Sequence, residues 1–391
     1  MSKQSARLST LCIHGGRRPG PGDPAVVTPI HQTTTFVPEE RDWELVRAGR
    51  VAESRFYSRY GNPSVAAVER RLALLEGAEE ARLFASGNAA SHAAILALAL
   101  PGGHVVASDR LYGGTRAILS NALVASGGAV DFVDFDDEAA LLAAFRSTTR
   151  LVLCESIANP TLEVADVPRL AELAHARGAL LMVDATYATP VLQRPLELGA
   201  DVVMHSASKY LGGHSDVIAG ALASSSELAL RFDRWRIDAG GSLDAHAAFL
   251  IDRGIKTLAV RMRAHVENAG VLARALETHP KVTRVLYPGL ESSAHHARAT
   301  QLLAGPGAMV LATCAGGDAE AERVLGRLEL AIAAPSLGGV ETLVCQPVYT
   351  SHTGMTEEER VAVGILPGSF RISVGIEDGD DLVDDFTRAL G

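Results

Sequence analysis

A chain of 391 residues, 47% hydrophobic and 21% charged, has room for a large domain plus a smaller one, and its globular profile excludes a disordered or membrane-embedded protein. The formal net charge of −10 carries no long like-charge run and no basic stripe, so nucleic-acid binding is not expected. The opening MSKQSARLST has no apolar signal core and runs such as AAILALAL are too short for a bilayer, which points to a cytoplasmic protein with no membrane partner.

Residues 1 to about 60, rich in Pro, Gly, Thr and Arg, predict an extended arm and loops. NPSVAAVERRLALLEG (62–77) predicts a helix: Pro63 suits its first turn, Val65, Val68, Leu72 and Leu75 recur at helical spacing, and Gly77 stops it. From Leu83 to Ser224 short apolar strands alternate with Ala-rich helices: HVVAS, VDFVDF, RLVLCES, ALLMVDA, DVVMHSA and VIAGALAS. Strands apolar on both faces predict an α/β fold with a mainly parallel sheet covered on both sides, and ligands beyond the strands' carboxyl ends. Residues 244–279 read as one long helix, after which VTRVLY, AMVLATC, ETLVCQ and FRISVGI predict a smaller C-terminal α+β domain. The expected division is an arm at 1–60, a large domain at 61–255 and a small one at 256–391.

Cys12, Cys154, Cys314 and Cys345 are too dispersed for a CxxC metal knuckle, and buried free thiols are expected. HExxH, P-loop and GxGxxG motifs are missing, so no metal is expected and the usual nucleotide chemistries lose support. Chemistry concentrates instead in HSASKYLGGHSD (205–216), where Ser206, Ser208 and Lys209 follow a strand. A lone lysine there is most often a solvated side chain, but its company is unusual. Asp184 ends another buried strand, where an unpaired carboxylate is costly. A pyridinium N–H would satisfy it and keep the ring able to accept electrons. Ser86, Gly87 and Asn88 begin an apolar helix, whose free amides form an anion site. Tyr112 in LYGGT could stack on an aromatic cofactor or simply pack, and Tyr57 and Arg59 in RFYSRYGNPS offer a phenol and a guanidinium to a phosphate.

With these pieces in place the chain resembles the Cys/Met-metabolism pyridoxal-phosphate (PLP) family of fold type I. That family includes cystathionine γ-synthase, cystathionine γ- and β-lyases, methionine γ-lyase and O-acetylhomoserine sulfhydrylase. The resemblance covers nearly the whole chain, through TLCIHGGRRPGPGDPAVVTPIHQTTTF, YSRYGNPS, FASGNAA, DRLYGGT, ESIANPTLEVADV, VDATYATP, HSASKYLGGHSD, RGIKTLAVRM, APSLGGVETLV and FRISVGIED. It implies Lys209 as the Schiff-base lysine and proton shuttle, Asp184 on the pyridine nitrogen and Tyr112 on the ring. Gly87, Asn88, Ser206 and Ser208 would hold the phosphate, with Tyr57 and Arg59 arriving from a neighbouring subunit of a homotetramer. Arg371, helped by Asn159 and Ser336, would clamp the α-carboxylate of an amino-acid substrate.

The resemblance implies loss of a leaving group from Cγ or Cβ, with γ-elimination expected and γ-replacement by a transferase as the alternative. An aminotransferase is disfavoured by YSRYGNPS and SLGGVETLV, and a PLP-binding protein without turnover by the intact Lys209, Asp184, Tyr112 and Arg371 set. Positions that separate family members are altered. Ala117 stands where the cystathionine γ-enzymes usually carry Arg, with Arg116 one place earlier; a shift of one residue turns a helical side chain by about 100°. Pro335 replaces the usual Glu before SLGG, and Gly114 the Cys usual in methionine γ-lyases. Asn88 stands for the common Met and Ser208 for the common Thr before the lysine, changes that cofactor binding should survive. The distal pocket is where these departures accumulate, and a compact leaving group is the expectation.

Overall fold

Asn62 opens the first long helix by accepting the Ser64 amide on its side chain (2.9 Å), Pro63 occupies the first turn, and Gly77 ends the helix at φ 71°. The helix spans Pro63–Glu76, as its spacing predicts. The structure, a computed structural model, describes residues 6–16, 25–350, 353 and 355–391.

Seven strands follow: β1 Glu80–Phe84, β2 His104–Ser108, β3 Ala129–Val133, β4 Thr149–Glu155, β5 Leu180–Asp184, β6 Val202–His205 and β7 Gly220–Ser224. They form one sheet in the order β1-β7-β6-β5-β4-β2-β3. Pairings from β6 through β5, β4 and β2 to β3 are parallel; β7 is antiparallel to both β6 and β1. VIAGALAS therefore contributes the one reversed strand. Strand residues alternate between two apolar layers: Val105, Ala107, Leu151 and Leu153 pack with helix Gly87–Ala99, whereas Val106, Val152 and Cys154 pack with helix Val167–His175. Burial on both faces is why these strands read as continuous apolar runs.

The second sheet joins β8 Val282–Leu286, β9 Met309–Cys314, β10 Ile332–Ala333, β11 Leu343–Cys345 and β12 Ser369–Ser373 in the order β10-β11-β12-β9-β8. All its pairings are antiparallel except β10–β11. Helices Leu258–Thr278 and Gly379–Leu390 supply Leu272, Leu276, Leu382 and Phe386 to its core. The two-residue strand β10 carries too little pattern to be seen in the sequence.

Two expectations need correction. Residues 244–279 are not one helix but two, Ala245–Ile255 and Leu258–Thr278. A Cβ on Gly254 would lie 2.1 Å from the Gly212 carbonyl oxygen, so the backbones touch there. Arg261 then donates to the carbonyls of Gly254 (2.8 Å) and Tyr210 (2.9 Å), stitching the break onto the loop after Lys209. The arm also contains helices, Leu8–His14 and Glu40–Arg47. The second is held by a reciprocal capping box between Glu39 and Asp42, and the first by Arg71 donating to the Cys12 carbonyl. Residues 1–5 and 17–24 of the expected arm lie outside the described residues. All four cysteines are buried free thiols, and among the described residues no helix is long and apolar enough to cross a membrane.

Candidate active site

Because β1 runs parallel to β6, the loops leaving β1, β2, β4, β5 and β6 all emerge at one edge of the sheet. That edge receives Gly87, Tyr112, Asn159, Asp184 and Lys209.

Lys209 lies in a turn after β6, its amide donating to the Ser206 carbonyl (3.1 Å). Its Nζ donates to Ser336 Oγ at 2.7 Å. Burial, reinforced by the charge of Arg371, pushes the amine's pKa below the ordinary lysine value. Gly338 of SLGG, at φ 76°, lies against this turn: a Cβ there would come within 2.6 Å of the Tyr210 amide nitrogen. Glycine is what allows the loop after β10 to touch the backbone beside Lys209.

Asp184 ends β5 and accepts Thr186 through both amide (2.9 Å) and hydroxyl (2.5 Å) on one oxygen. The Thr186 hydroxyl in turn accepts the Ser206 amide (2.8 Å), fixing β5 to the lysine turn. Asp184 forms no ion pair among the described residues, and burial raises its pKa. Such a carboxylate fits a cationic ring nitrogen.

At the far end Ser86 caps helix Gly87–Ala99 by accepting the Ala89 amide (3.1 Å), while Ala90 bonds the Ser86 carbonyl. A Cβ on Gly87 would sit 3.1 Å from Ser206 Cβ and Oγ, so these two expected phosphate residues are adjacent. Asn88 is exposed beside them. Ser208 differs: its hydroxyl is engaged with Ala219, accepting its amide (2.9 Å) and donating to its carbonyl (3.2 Å).

Tyr112 is 45% exposed, and a Cβ on Gly114 would lie 2.4 Å from its ring and 2.8 Å from Asn88 Oδ1. Arg371, 5% exposed on β12, donates to Asn159 Oδ1 (2.9 Å), the Ser336 carbonyl (2.9 Å) and the Tyr187 hydroxyl (3.4 Å). Its Nε is buried without a partner among the described residues, leaving a donor for a further carboxylate. The expected clamp of Arg371, Asn159 and Ser336 is thus brought together. Tyr57 and Arg59 are not brought to it: Arg59 stacks over Tyr57 (5.1 Å) and Tyr60 (5.0 Å), and no described contact of either reaches Lys209.

Beyond Tyr112 and Asn159 opens a cavity of ≈ 480 Å³ lined also by Arg116, Ala117, Thr350 and Met355. Arg116 is held at its wall, 3.9 Å over the Phe132 ring and bonded to the Asp109 carbonyl (3.2 Å). Sequence reasoning passed over Glu155, Thr186 and Tyr187. Glu155 was open to the argument used for Asp184, an acid at the carboxyl end of a buried strand; the other two sit inside VDATYATP.

A family profile described as Cys/Met metabolism PLP-dependent enzyme matches residues 9–391. The chain is 41% identical to an L-methionine gamma-lyase of Pseudomonas putida, covering 98% of this chain and 97% of the relative. It is 40% identical to a cystathionine beta-lyase of Coxiella burnetii, covering 100% and 99%. Among solved structures, a cystathionine gamma-lyase from Micromonospora echinospora superimposes with a TM-score of 0.92 at 40% identity, over 99% of both chains. The groups present suit the cofactor these similarities bring: a part-buried acid without an ion pair among the described residues, a helix start with free amides, and a lysine of depressed pKa. The chain belongs to the Cys/Met metabolism PLP-dependent enzymes, an α/β protein of the fold-type I arrangement whose cofactor is pyridoxal 5′-phosphate.

Proposed function

We propose that this enzyme catalyses γ-elimination on a γ-substituted amino acid with a compact leaving group. The observation that carries the reading is the contact of Lys209 Nζ with Ser336 Oγ while the Ser336 carbonyl holds Arg371. A substrate whose α-carboxylate pairs with Arg371 then has its Cα beside the lysine amine. The names of the relatives, an L-methionine gamma-lyase and a cystathionine beta-lyase, support elimination chemistry.

In this reading Lys209 would hold the cofactor, with Asp184 toward its ring nitrogen and Tyr112 over its ring. The phosphate would rest on Gly87, Asn88 and Ser206, and on Ser208 once its hydroxyl exchanges the Ala219 carbonyl for a phosphate oxygen, together with Tyr57 and Arg59 of the partner subunit. When bound, PLP acts as an electron sink for negative charge at the substrate carbons. Arg371 and Asn159 orient the α-carboxylate, and the flat two-pronged guanidinium matches its two oxygens. With its amine free beside the substrate Cα, Lys209 would be the base there, and its depressed pKa favours the neutral form that removes the Cα proton. Tyr112 would assist proton transfer.

We also infer a homotetramer with an arm at 1–60, a cofactor domain at 61–255 and a C-terminal domain at 256–391. The exposed Val26 (78%), Val37 (94%) and Ile218 (71%) support burial against other subunits. Four free thiols fit a reducing compartment such as the cytoplasm. The test is product analysis by mass spectrometry on a panel of γ- and β-substituted amino acids, with and without added thiol. Elimination gives a 2-oxo acid and ammonia in both cases; a thioether formed only with thiol would reassign the enzyme to γ-replacement.

A further inference from the structure

Glu155 ends β4 directly beside Asp184 on β5, its register partner. Its two carboxylate oxygens serve different loops, Oε1 accepting the Tyr112 amide at 2.5 Å and Oε2 the Asn159 amide at 3.0 Å. Tyr112 belongs to the loop after β2 and Asn159 to the loop after β4. One side chain therefore ties together two walls of the pocket. Asn159 passes the constraint on, because its Oδ1 holds Arg371 at 2.9 Å.

A purely structural need does not explain an acid here. Two loop amides can be satisfied by a carbonyl or a hydroxyl, whereas a buried carboxylate carries a desolvation cost. Glu155 forms no ion pair among the described residues; burial and the neighbouring Asp184 raise its pKa, while the Tyr112 and Asn159 amides oppose that rise by favouring the charged acceptor. A costly group is kept where two donors from different loops must converge on one rigid acceptor. We propose that Glu155 is a positioning residue that sets Tyr112 and the Asn159–Arg371 pair in register for the substrate. The assignment rests on the proposed roles of Tyr112 and Arg371.

Glutamine has the same shape but presents an amide N–H₂ where one of the two loop N–H groups already points, so one bond is lost whichever way it turns. Aspartate keeps both acceptors but falls short by about 1.5 Å. The holoenzyme is titrated with glycine, which has an α-carboxylate but no leaving group, and with methylamine, which lacks the carboxylate. Cofactor absorbance reports both affinities. Glu155→Gln should weaken glycine about 10- to 100-fold, change methylamine less than about threefold, and shift the cofactor band through the altered Tyr112 ring. In an Asn159→Ala background the same substitution should alter glycine affinity less than about threefold, because its route to Arg371 is already cut. Glu155→Asp is read in the same way should the glutamine variant fail to fold.

Glycine affinity within about twofold of the unsubstituted enzyme, with an unmoved band, overturns the proposal. So does an undiminished effect in the Asn159→Ala background, which would signal general damage. Arg371→Gln separates the layers: if it leaves glycine affinity unchanged, the clamp assignment falls and this role with it. If it weakens glycine while Glu155→Gln does not, only the role of Glu155 falls.

Discussion

Lys209 and Ser336, 127 positions apart and on different domains of the proposed division, meet in a 2.7 Å hydrogen bond from Nζ to Oγ. Ser336 is also the carbonyl acceptor of Arg371, so the amine and the carboxylate clamp share one residue. The first expected outcome is that borohydride reduction of the holoenzyme fixes the cofactor covalently on Lys209. Peptide mapping that finds the label on Lys256 or Lys281 would remove Lys209 from its proposed role.

The charge of Arg371 beside this amine has a pH consequence. A nearby cation disfavours the ammonium form, as burial does, so the Lys209 pKa lies below the ordinary value of about 10.4. More neutral amine is then present at any given pH, and removing the cation reverses part of the shift. Competitive acetylation of the cofactor-free protein, read at Lys209 by mass spectrometry, should titrate below the exposed lysines. Arg371→Gln should move that midpoint to higher pH. A midpoint that is unchanged or moves down contradicts the electrostatic account.

Ser336 adopts φ 99°, a region that side chains rarely occupy. Ser336→Val places a β-branched side chain there and should destabilise the enzyme by about 1–3 kcal/mol in chemical denaturation. Ser336→Gly relieves the strain and should keep or raise stability, by up to ~1 kcal/mol, while impairing turnover by removing the Lys209 partner. Equal stability of the valine and serine forms would mean that the backbone relaxes without cost.

How much of this was legible depends on what each feature speaks through. Strands β2, β4, β5 and β6 announce themselves by apolar side chains on both faces, and Asp184 and Lys209 by polar chemistry at strand ends. The break between Ile255 and Leu258 was hidden because its cause is a contact between Gly254 and Gly212, 42 positions apart, which leaves no periodic signal. Glu155 was missed for a related reason. Its partners are backbone amides of loops, and a backbone amide has no side-chain signature. Likewise Ser208 looks like a free hydroxyl in HSASK, yet Ala219 takes both its hydrogen-bonding directions.

Tyr57 and Arg59 lie in one stack with Tyr60, without a described contact to Lys209 in the same chain. If they serve the site of a neighbouring subunit, two different defects can complement. Tyr57→Phe/Arg59→Ala chains and Lys209→Ala chains, each inactive, should recover activity when mixed and reassociated, because some hybrid sites receive an intact set. About one site in four is expected to be competent at equal mixing if exchange is random, with each site drawing on one neighbour. No recovery in hybrids verified by native mass spectrometry would place Tyr57 and Arg59 in their own chain's site.

Selectivity follows from what the ≈ 480 Å³ cavity offers to the far end of a substrate. Cystathionine brings a second carboxylate, which in a water-poor pocket needs a paired donor. Ala117 supplies none. Arg116 is held 3.9 Å over Phe132 and by the Asp109 carbonyl, and Arg110 stands among Asp134 (3.0 Å), Glu163 (3.5 Å), Asp136 (3.8 Å) and Asp109 (4.0 Å). Recruiting either guanidinium means breaking contacts it already makes. A missing charge-assisted contact costs on the order of 1.5–3 kcal/mol, or roughly 10- to 150-fold in specificity. The expected outcome is that kcat/KM for cystathionine falls below that for O-acetylhomoserine or a γ-halo amino acid by about this factor. Ala117→Arg should narrow the gap by restoring a donor, and Arg116→Ala should leave it nearly unchanged because that side chain is already committed to Phe132. If cystathionine is the best substrate and Arg116→Ala abolishes that preference, Arg116 leaves Phe132 to bind the distal carboxylate, and the pocket selects for a second charge.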